Sequence, residues 1–346
     1  MTDGSGGGIR DRMPTMRDVA KIAGVSLGTV SHVLSRAHYV RPETQARVES
    51  AIEELGFRPN RVARALVRRR TNAIGVVLPD IANPFFAELA RGAEDVLSEA
   101  DYAAMLGNSD NDAVKERRYL ASLGERGVDG LIVALAAASH ADDLRGLAAR
   151  IPTVSVDRVV SGWLGDSVVG DNRAGMGLAV RHLTGLGHRR LALINGDTRL
   201  STASERRLGF RKAIIAEAIT DVSYSDGVFT FESGYEQALV FLNRADRPTA
   251  ICAANDLLAL AVLAAAGDRG CRVPDELSVV GYDDIAYAKL ASPSLTTVRQ
   301  PAYDMGAAAA RMLLERLRDE QLAARRLVMK PQLVVRGSTA LPRVDP

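Results

Sequence analysis

Cysteine is nearly absent from this chain: Cys252 and Cys271 are the only two in 346 residues. Two thiols so far from any partner build neither a disulfide framework nor a metal-ligand spacing. Their apolar neighbours mark them as buried, inert thiols. Aromatics make up 5% of the residues against a hydrophobic total of 47%, so the core must be aliphatic. No run approaches the ~20 apolar residues of a membrane helix, and the expectation is a protein with no membrane partner. The opening MTDGSGGGIRDRMPT has no apolar signal segment and reads as a disordered tail over residues 1–14 of a cytoplasmic protein. Catalytic signatures are also missing: no GxSxG elbow, no P-loop, no HExxH and no GxGxxG after a strand. His140, His182 and His188 have no nucleophile that the sequence ties to them. Neither an enzyme nor a bound cofactor or metal is expected.

What the chain does have is uneven charge. Residues 1–72 hold 13 Lys/Arg and 7 Asp/Glu, a net +6, while the remaining 274 hold 31 and 35, a net −4. A basic head on an acidic body suggests nucleic-acid contact at one end, although a solvated charged face would look the same. The head itself is more telling. Thr15 and Asp18 have capping-box spacing, Gly24 breaks the first helix, and Ser26 caps a second that runs to about Leu34. The turn Ala23-Gly24-Val25-Ser26 has the length and glycine of a helix-turn-helix. Val30, Val33 and Leu34 recur at helical spacing and should pack inward, which leaves Leu27, Gly28, Thr29, Ser31, His32 and Ser35 on or near the outer face. A third helix, from Glu43 to Leu55, should bury Val48, Ile52 and Leu55 and stop at Gly56.

A recognition helix reads bases mainly with its first residues. Leu27 can touch a thymine methyl or belong to the small core. His32 can bond a base edge or be an ordinary surface histidine. Beyond the headpiece, Asn60 can cap a short helix from Arg61 to Leu66, with Arg61 and Arg64 placed for phosphates. A helix that short is marginal alone, and an exposed Leu66 suits a minor-groove wedge.

The stretch MRDVAKIAGVSLGTVSHVLSRAHYVRPETQARVESAIEELGFRPNRVARAL resembles the headpiece and hinge of the LacI/GalR family of bacterial transcription regulators, close to purine and ribose repressors. The resemblance extends in order over about residues 15 to 340. It implies DNA contacts at Leu27, Gly28, Thr29, Ser31 and His32 and, in the hinge, at Asn60, Arg61, Arg64, Ala65 and Leu66. It further implies a homodimer on a pseudo-palindromic operator, with Leu66 from each hinge prying open a central step.

From Ala73 onward strands and helices alternate, which argues for parallel sheets. Strand runs are read at 73–79, 102–108, 129–135, 151–157, 190–196, 225–231, 249–255, 277–283 and 332–337, with helices between them and a last helix from Met305 to Leu317. Two such sets suggest two Rossmann-like lobes with a ligand between them at the strand ends. Polar and aromatic residues gather there: Asp80 to Phe86, Asn108, Asp157-Arg158, Asp171-Asn172, Asn255-Asp256 and Tyr282 to Asp284. Asp157 and Asp256 read best as ligand contacts, while Asp80, Asp171 and Asp284 suit helix caps equally well. The expected architecture is thus an all-α headpiece over 15–58, a hinge over 59–72 and a two-lobed α/β core like periplasmic binding proteins over 73–342. Its N-lobe is expected over about 73–159 and 294–322, and its C-lobe over about 160–293 and 323–342.

Within the core, the resemblance implies ligand contacts at Phe85, Phe86, Asp157, Thr202, Arg206, Phe229 and Asp256. Leu200 stands where the purine type carries a second ligand-binding arginine. This departure favours a sugar or related polyol as effector, with a purine or nucleoside corepressor as the alternative. Trp163 either lines the cleft or caps a lobe surface. The chain ends without a tetramerising heptad segment, so a dimer is expected. A cytoplasmic sugar-binding protein without gene control is the reading from another class, and the headpiece argues against it.

Overall fold

Thr15 starts the first helix as its spacing to Asp18 suggests. Its hydroxyl and its backbone N–H both donate to the Asp18 carboxylate, at 2.6 and 2.8 Å, and so cap α1 (Met16–Ala23). Gly24 ends that helix at φ +62°, a conformation that glycine adopts without steric cost. The Ser26 hydroxyl accepts from the Thr29 N–H at 3.1 Å and opens α2 (Leu27–Ser35), and α3 (Pro42–Leu55) comes next. Val19, Ala20, Ala23, Val30, Val48, Ala51 and Phe57 form a small core, with Val33, Leu34, Ile52 and Leu55 packed against it. One face of each helix therefore buries the apolar residues that its periodicity marks.

This computed structural model describes residues 14–35, 39–57, 71–136, 141–159 and 162–343. The expected tail, and the hinge residues Asn60, Arg61, Arg64, Ala65 and Leu66, lie outside the described residues. The chain divides into two compact units, residues 1–71 and 72–346.

The second unit contains two six-stranded sheets. The first has the order β11-β5-β4-β3-β1-β2, built from β1 (Ala73–Leu78), β2 (Ala103–Asn108), β3 (Gly130–Val133), β4 (Thr153–Val156), β5 (Asp166–Gly170) and β11 (Arg326–Met329). All its pairings are parallel. The second has the order β12-β10-β9-β8-β6-β7, from β6 (Arg190–Asn195), β7 (Asp221–Asp226), β8 (Ala250–Ala253), β9 (Ser278–Asp283), β10 (Thr296–Arg299) and β12 (Gln332–Val334). Only its edge strand β12 is antiparallel. Central strands such as AIGVVL and SVVGYD are apolar along most of their length because helices cover both sheet faces.

Those helices are α4 (Pro84–Glu99), α5 (Ala113–Glu125), α6 (Ala141–Ala148), α7 (Asn172–Gly185), α8 (Ser201–Ala216), α9 (Phe231–Leu242), α10 (Asp256–Asp268), α11 (Ala286–Leu290) and α12 (Ala302–Arg318). The tightest helix contact is between α4 and α12. A Cβ at Gly306 would lie 1.9 Å from the Leu89 carbonyl oxygen, so glycine is what lets the two backbones touch.

Sheet membership moves the lobe boundaries away from 159/160, 293/294 and 322/323. β5 completes the first sheet, β10 belongs to the second and β11 returns to the first. The chain thus crosses between lobes at about residues 171, 300 and 330. The reason is a buried charge that the sequence does not announce. Asp166, at the start of β5, is fully buried and accepts from Arg316 Nε on α12 at 2.8 Å and from the Arg325 backbone N–H at 2.8 Å. Burial opposes the charge on Asp166, but its bonds from Arg316 and Arg325 outweigh that and lower its pKa. One carboxylate therefore pins β5, α12 and the approach to β11 in one lobe. The strand expected over 225–231 is also displaced: β7 ends at Asp226, and Thr230 caps the next helix by accepting from the Ser233 N–H.

Candidate ligand cleft and nucleic-acid surface

Residues at or just past the strand ends build the cleft between the two lobes. Asn83, Phe85 and Phe86 come after β1, and Asp157 and Arg158 after β4. From the other lobe come Thr202 and Arg206 on α8, Phe229 after β7, Asn255 after β8 and Asp283 at the end of β9. The space between them, including the part open to solvent, is about 270 Å3. Local folding sets the walls. The Asn83 carboxamide accepts from the Phe85 N–H at 3.0 Å and starts α4, which fixes the Phe85–Phe86 pair edge-to-face at 5.1 Å between centroids. Asn255 does the same for α10 by accepting from the Leu258 N–H at 2.9 Å.

Arg206 anchors the second lobe's wall. Its Nε donates to Asn172 Oδ1 at 2.7 Å, Nη1 donates to the Ala254 carbonyl, Nη2 reaches Asp283 Oδ1 at 3.4 Å, and the guanidinium lies 3.9 Å over the Tyr282 ring. Asp283 also accepts from Gln300 Nε2 at 3.0 Å. Across the cleft, Arg158 Nη1 donates to Asn111 Oδ1 at 2.9 Å and to the Leu135 carbonyl at 3.0 Å, and its guanidinium lies 5.4 Å from the Phe86 ring centroid. Asp157 at φ +60° and Asp283 at φ +109° both hold backbone conformations that side-chain-bearing residues rarely adopt. Strain of this kind collects where a site must present a side chain in one direction.

Burial dominates the electrostatics of both cleft carboxylates. Burial raises the pKa of Asp157, opposed by the charges of Arg206 and Arg158. Burial likewise pushes Asp283 up to about 6, with Arg206 pulling the other way. Asp157 Oδ1 and Arg158 Nε are buried and have no hydrogen-bond partner among the described residues. Buried polar atoms are nearly always satisfied in proteins. An acceptor and a donor left open on one wall suit a molecule whose hydroxyls can serve both.

Of the expected ligand contacts, Phe85, Phe86, Asp157, Thr202, Arg206 and Phe229 meet around the cleft, and Asp256 does not. Asp256 is fully buried, with Oδ1 accepting from Thr297 Oγ1 at 2.5 Å and Oδ2 from the Ile285 N–H at 2.8 Å. It braces the start of α10 against β10 and the turn after β9, so both oxygens are spent inside the lobe. Asn83, Arg158, Asn255 and Asp283 also line the cleft, and they carry the same sequence signal, polar residues at strand ends. Leu200 is buried at the start of α8 and lies outside the lining. Trp163 donates from Nε1 to the Asp166 carbonyl at 3.0 Å and packs on the first lobe's core, so it caps that lobe. Asp171 is a helix cap, accepting from the Ala174 N–H, and Asp284 is held by Arg299 and Arg336.

In the head, Leu27 is 46% exposed, which decides between base contact and core in favour of the surface. Gly28, Ser31 and His32 are exposed beside it, and Thr29 is half-buried with its hydroxyl bonded to Ser26 at 2.9 Å. Among the described residues no group of His, Cys, Asp or Glu could hold a metal ion, and no helix is long and apolar enough to cross a membrane. Cys252 and Cys271 are free and buried.

Comparison with known proteins bears on both surfaces. The profile described as bacterial regulatory proteins, lacI family, matches residues 15–60, and that of the periplasmic binding protein-like domain matches residues 180–339. The chain is 39% identical to the HTH-type transcriptional repressor PurR of Photobacterium profundum over 94% of this chain and 98% of that protein. Its fold is similar to the lac repressor dimer bound to operator and the anti-inducer ONPF, with a TM-score of 0.87 and 28% identity over 95% of this chain and 100% of that one. It is also similar to a LacI family transcriptional regulator from Enterococcus faecium with bound ribose, with a TM-score of 0.71 and 32% identity over 78% of this chain and 100% of that one.

Proposed function

The chain belongs to the lacI family of bacterial regulatory proteins, and from that premise we propose that it is a repressor whose hold on DNA is set by a small sugar in the inter-lobe cleft. As a member it is a DNA-binding transcriptional regulator with a ligand-binding core, not an enzyme. The finer assignment rests on one observation: two buried carboxylates, Asp157 and Asp283, and two buried guanidiniums, Arg158 and Arg206, line one small cleft together with Phe85, Phe86 and Phe229. Each hydroxyl of a monosaccharide can donate to a carboxylate and accept from a guanidinium, and its C–H faces stack on phenyl rings.

In this reading the protein works as a dimer on a pseudo-palindromic operator in the cytoplasm, where the DNA is. Leu27, Gly28, Thr29, Ser31 and His32 face base edges, and Asn60, Arg61, Arg64, Ala65 and Leu66 carry the hinge contact. Ligand bound between the lobes selects one lobe arrangement, and only one arrangement holds the operator. A coupling of ~1–3 kcal/mol would change operator occupancy by about 5–150-fold. A purine effector is the second reading, favoured by the likeness to a repressor named PurR. The test is calorimetry and thermal shift against D-ribose, other pentoses, hexoses, polyols, hypoxanthine and guanine. Saturable binding by a sugar supports the proposal. Binding by purines alone overturns it in favour of the second reading.

A further inference from the structure

Glu116, on α5, is a carboxylate at 1% exposure whose Oε1 has no hydrogen-bond partner among the described residues. Its Oε2 accepts from the backbone N–H of Ala136, just past β3. The carbonyl of that same peptide unit, Leu135 C=O, accepts from Arg158 Nη1 at 3.0 Å. The peptide thus links carboxylate to guanidinium, and the guanidinium belongs to the cleft, where Arg158 Nε is buried without a hydrogen bond and lies 3.9 Å from Asp157 Oδ2. No residue of this relay on the Glu116 side touches the cleft itself.

We propose that Glu116 is a positioning residue for Arg158, acting through the Leu135–Ala136 peptide, and that its ionisation makes ligand binding depend on pH. The inference about ligand rests on the sugar reading above, while the positioning of Arg158 stands without it. An ionised acceptor makes a shorter and stronger bond to the Ala136 N–H than a neutral one. It also polarises the peptide, so that the Leu135 oxygen is a better acceptor for the guanidinium. Protonation of Glu116 weakens both bonds and loosens the arginine on the ligand-facing wall.

Among the described side chains, Arg158 supplies the charge that acts on Glu116. Strands β1 and β2, on which α5 packs, carry no ionisable side chain, and on α6 Asp142 and Arg145 pair with each other. On its own helix Lys115 pairs with Asp110, and Arg117 and Arg118 are exposed. Burial pushes Glu116 up to about 7, opposed by the Ala136 bond and the charge of Arg158. The switch is thus set near neutrality.

The experiment tracks the Arg158 Nε–Hε resonance of the full, ligand-free chain labelled with 15N-arginine, assigned by its loss in Arg158→Lys. It should move with a midpoint near pH ~7 in the wild type and lose that step in Glu116→Gln, whose amide oxygen still accepts from Ala136, keeping only the response to the cleft carboxylates Asp157 and Asp283. If Glu116→Gln does not fold, Glu116→Asp, too short to hold Ala136 equally well, should shift the midpoint. A resonance that does not titrate in the wild type, or titrates identically in the variant, overturns the proposal. Calorimetry with D-ribose gives the second readout: wild-type affinity about fivefold weaker at pH ~6 than at pH ~8, with that difference reduced in Glu116→Gln. The acid limb that remains comes from the cleft carboxylates Asp157 and Asp283, both raised by burial. An equal pH profile in both proteins refutes the link to ligand. If D-ribose binds neither protein at either pH, ribose is excluded as the effector and the arginine resonance alone decides the positioning role.

Discussion

Asp256 and Asp283 are two buried carboxylates close enough that Asp283 helps raise the pKa of Asp256, yet the structure gives them opposite roles. Asp256→Ala removes the acceptor of Thr297 Oγ1 and of the Ile285 N–H and leaves two buried donors unpaired. Each orphaned donor costs ~1–3 kcal/mol, or ~2–6 kcal/mol for the pair. Burial and then the neighbouring Asp283 work against a charge at Asp256, so losing the carboxyl relieves some repulsion, and we expect ~3 kcal/mol. For a unit of this size each kcal/mol moves the melting temperature by ~2–4 °C, so Asp256→Ala should melt about 6–12 °C lower. Its ligand affinity, measured well below that temperature, should stay within about twofold of wild type. Asp283→Asn should do the reverse. It keeps the side chain's shape and a carbonyl oxygen for Gln300 but loses the charged acceptor in the cleft, worth ~1.5–3 kcal/mol or about 10–100-fold in affinity. Differential scanning fluorimetry and calorimetry on the two variants read both quantities. The reasoning is refuted if Asp256→Ala melts like the wild type and fails to bind ligand, the behaviour of a direct ligand contact.

Other parts of the molecule give two more expected outcomes. Arg316→Ala removes two of the bonds to buried Asp166 and should destabilise the core by about 3 kcal/mol, seen as a lower urea midpoint with an unchanged slope; a midpoint equal to wild type would show that Arg325 alone suffices. Leu66→Ala should weaken operator binding sharply while leaving ligand affinity alone, and an unchanged gel-shift titration would remove Leu66 from the DNA contact.

What the sequence determined by itself was local or periodic. The Thr15–Asp18 cap, the left-handed Gly24 and the Ser26 cap depend on residues no more than a few positions apart, so the head could be read directly. The central strands announced themselves as apolar runs, and the polar residues after them marked the cleft. Tertiary structure decided the rest. β5, β10 and β11 are four or five residues long, in segments such as DSVVG, TTVR and RLVM. They have too little pattern to be recognised, and they become strands by pairing with β4, β9 and β5. The lobe crossings went with them, because the Asp166 cluster joins residues some 150 positions apart. The exchange of Asp256 for Asn255 and Asp283 at the ligand wall has the same origin. Adjacent side chains at a strand–helix junction point in different directions, and only the packed partners Thr297 and Ile285 decide which carboxylate turns inward.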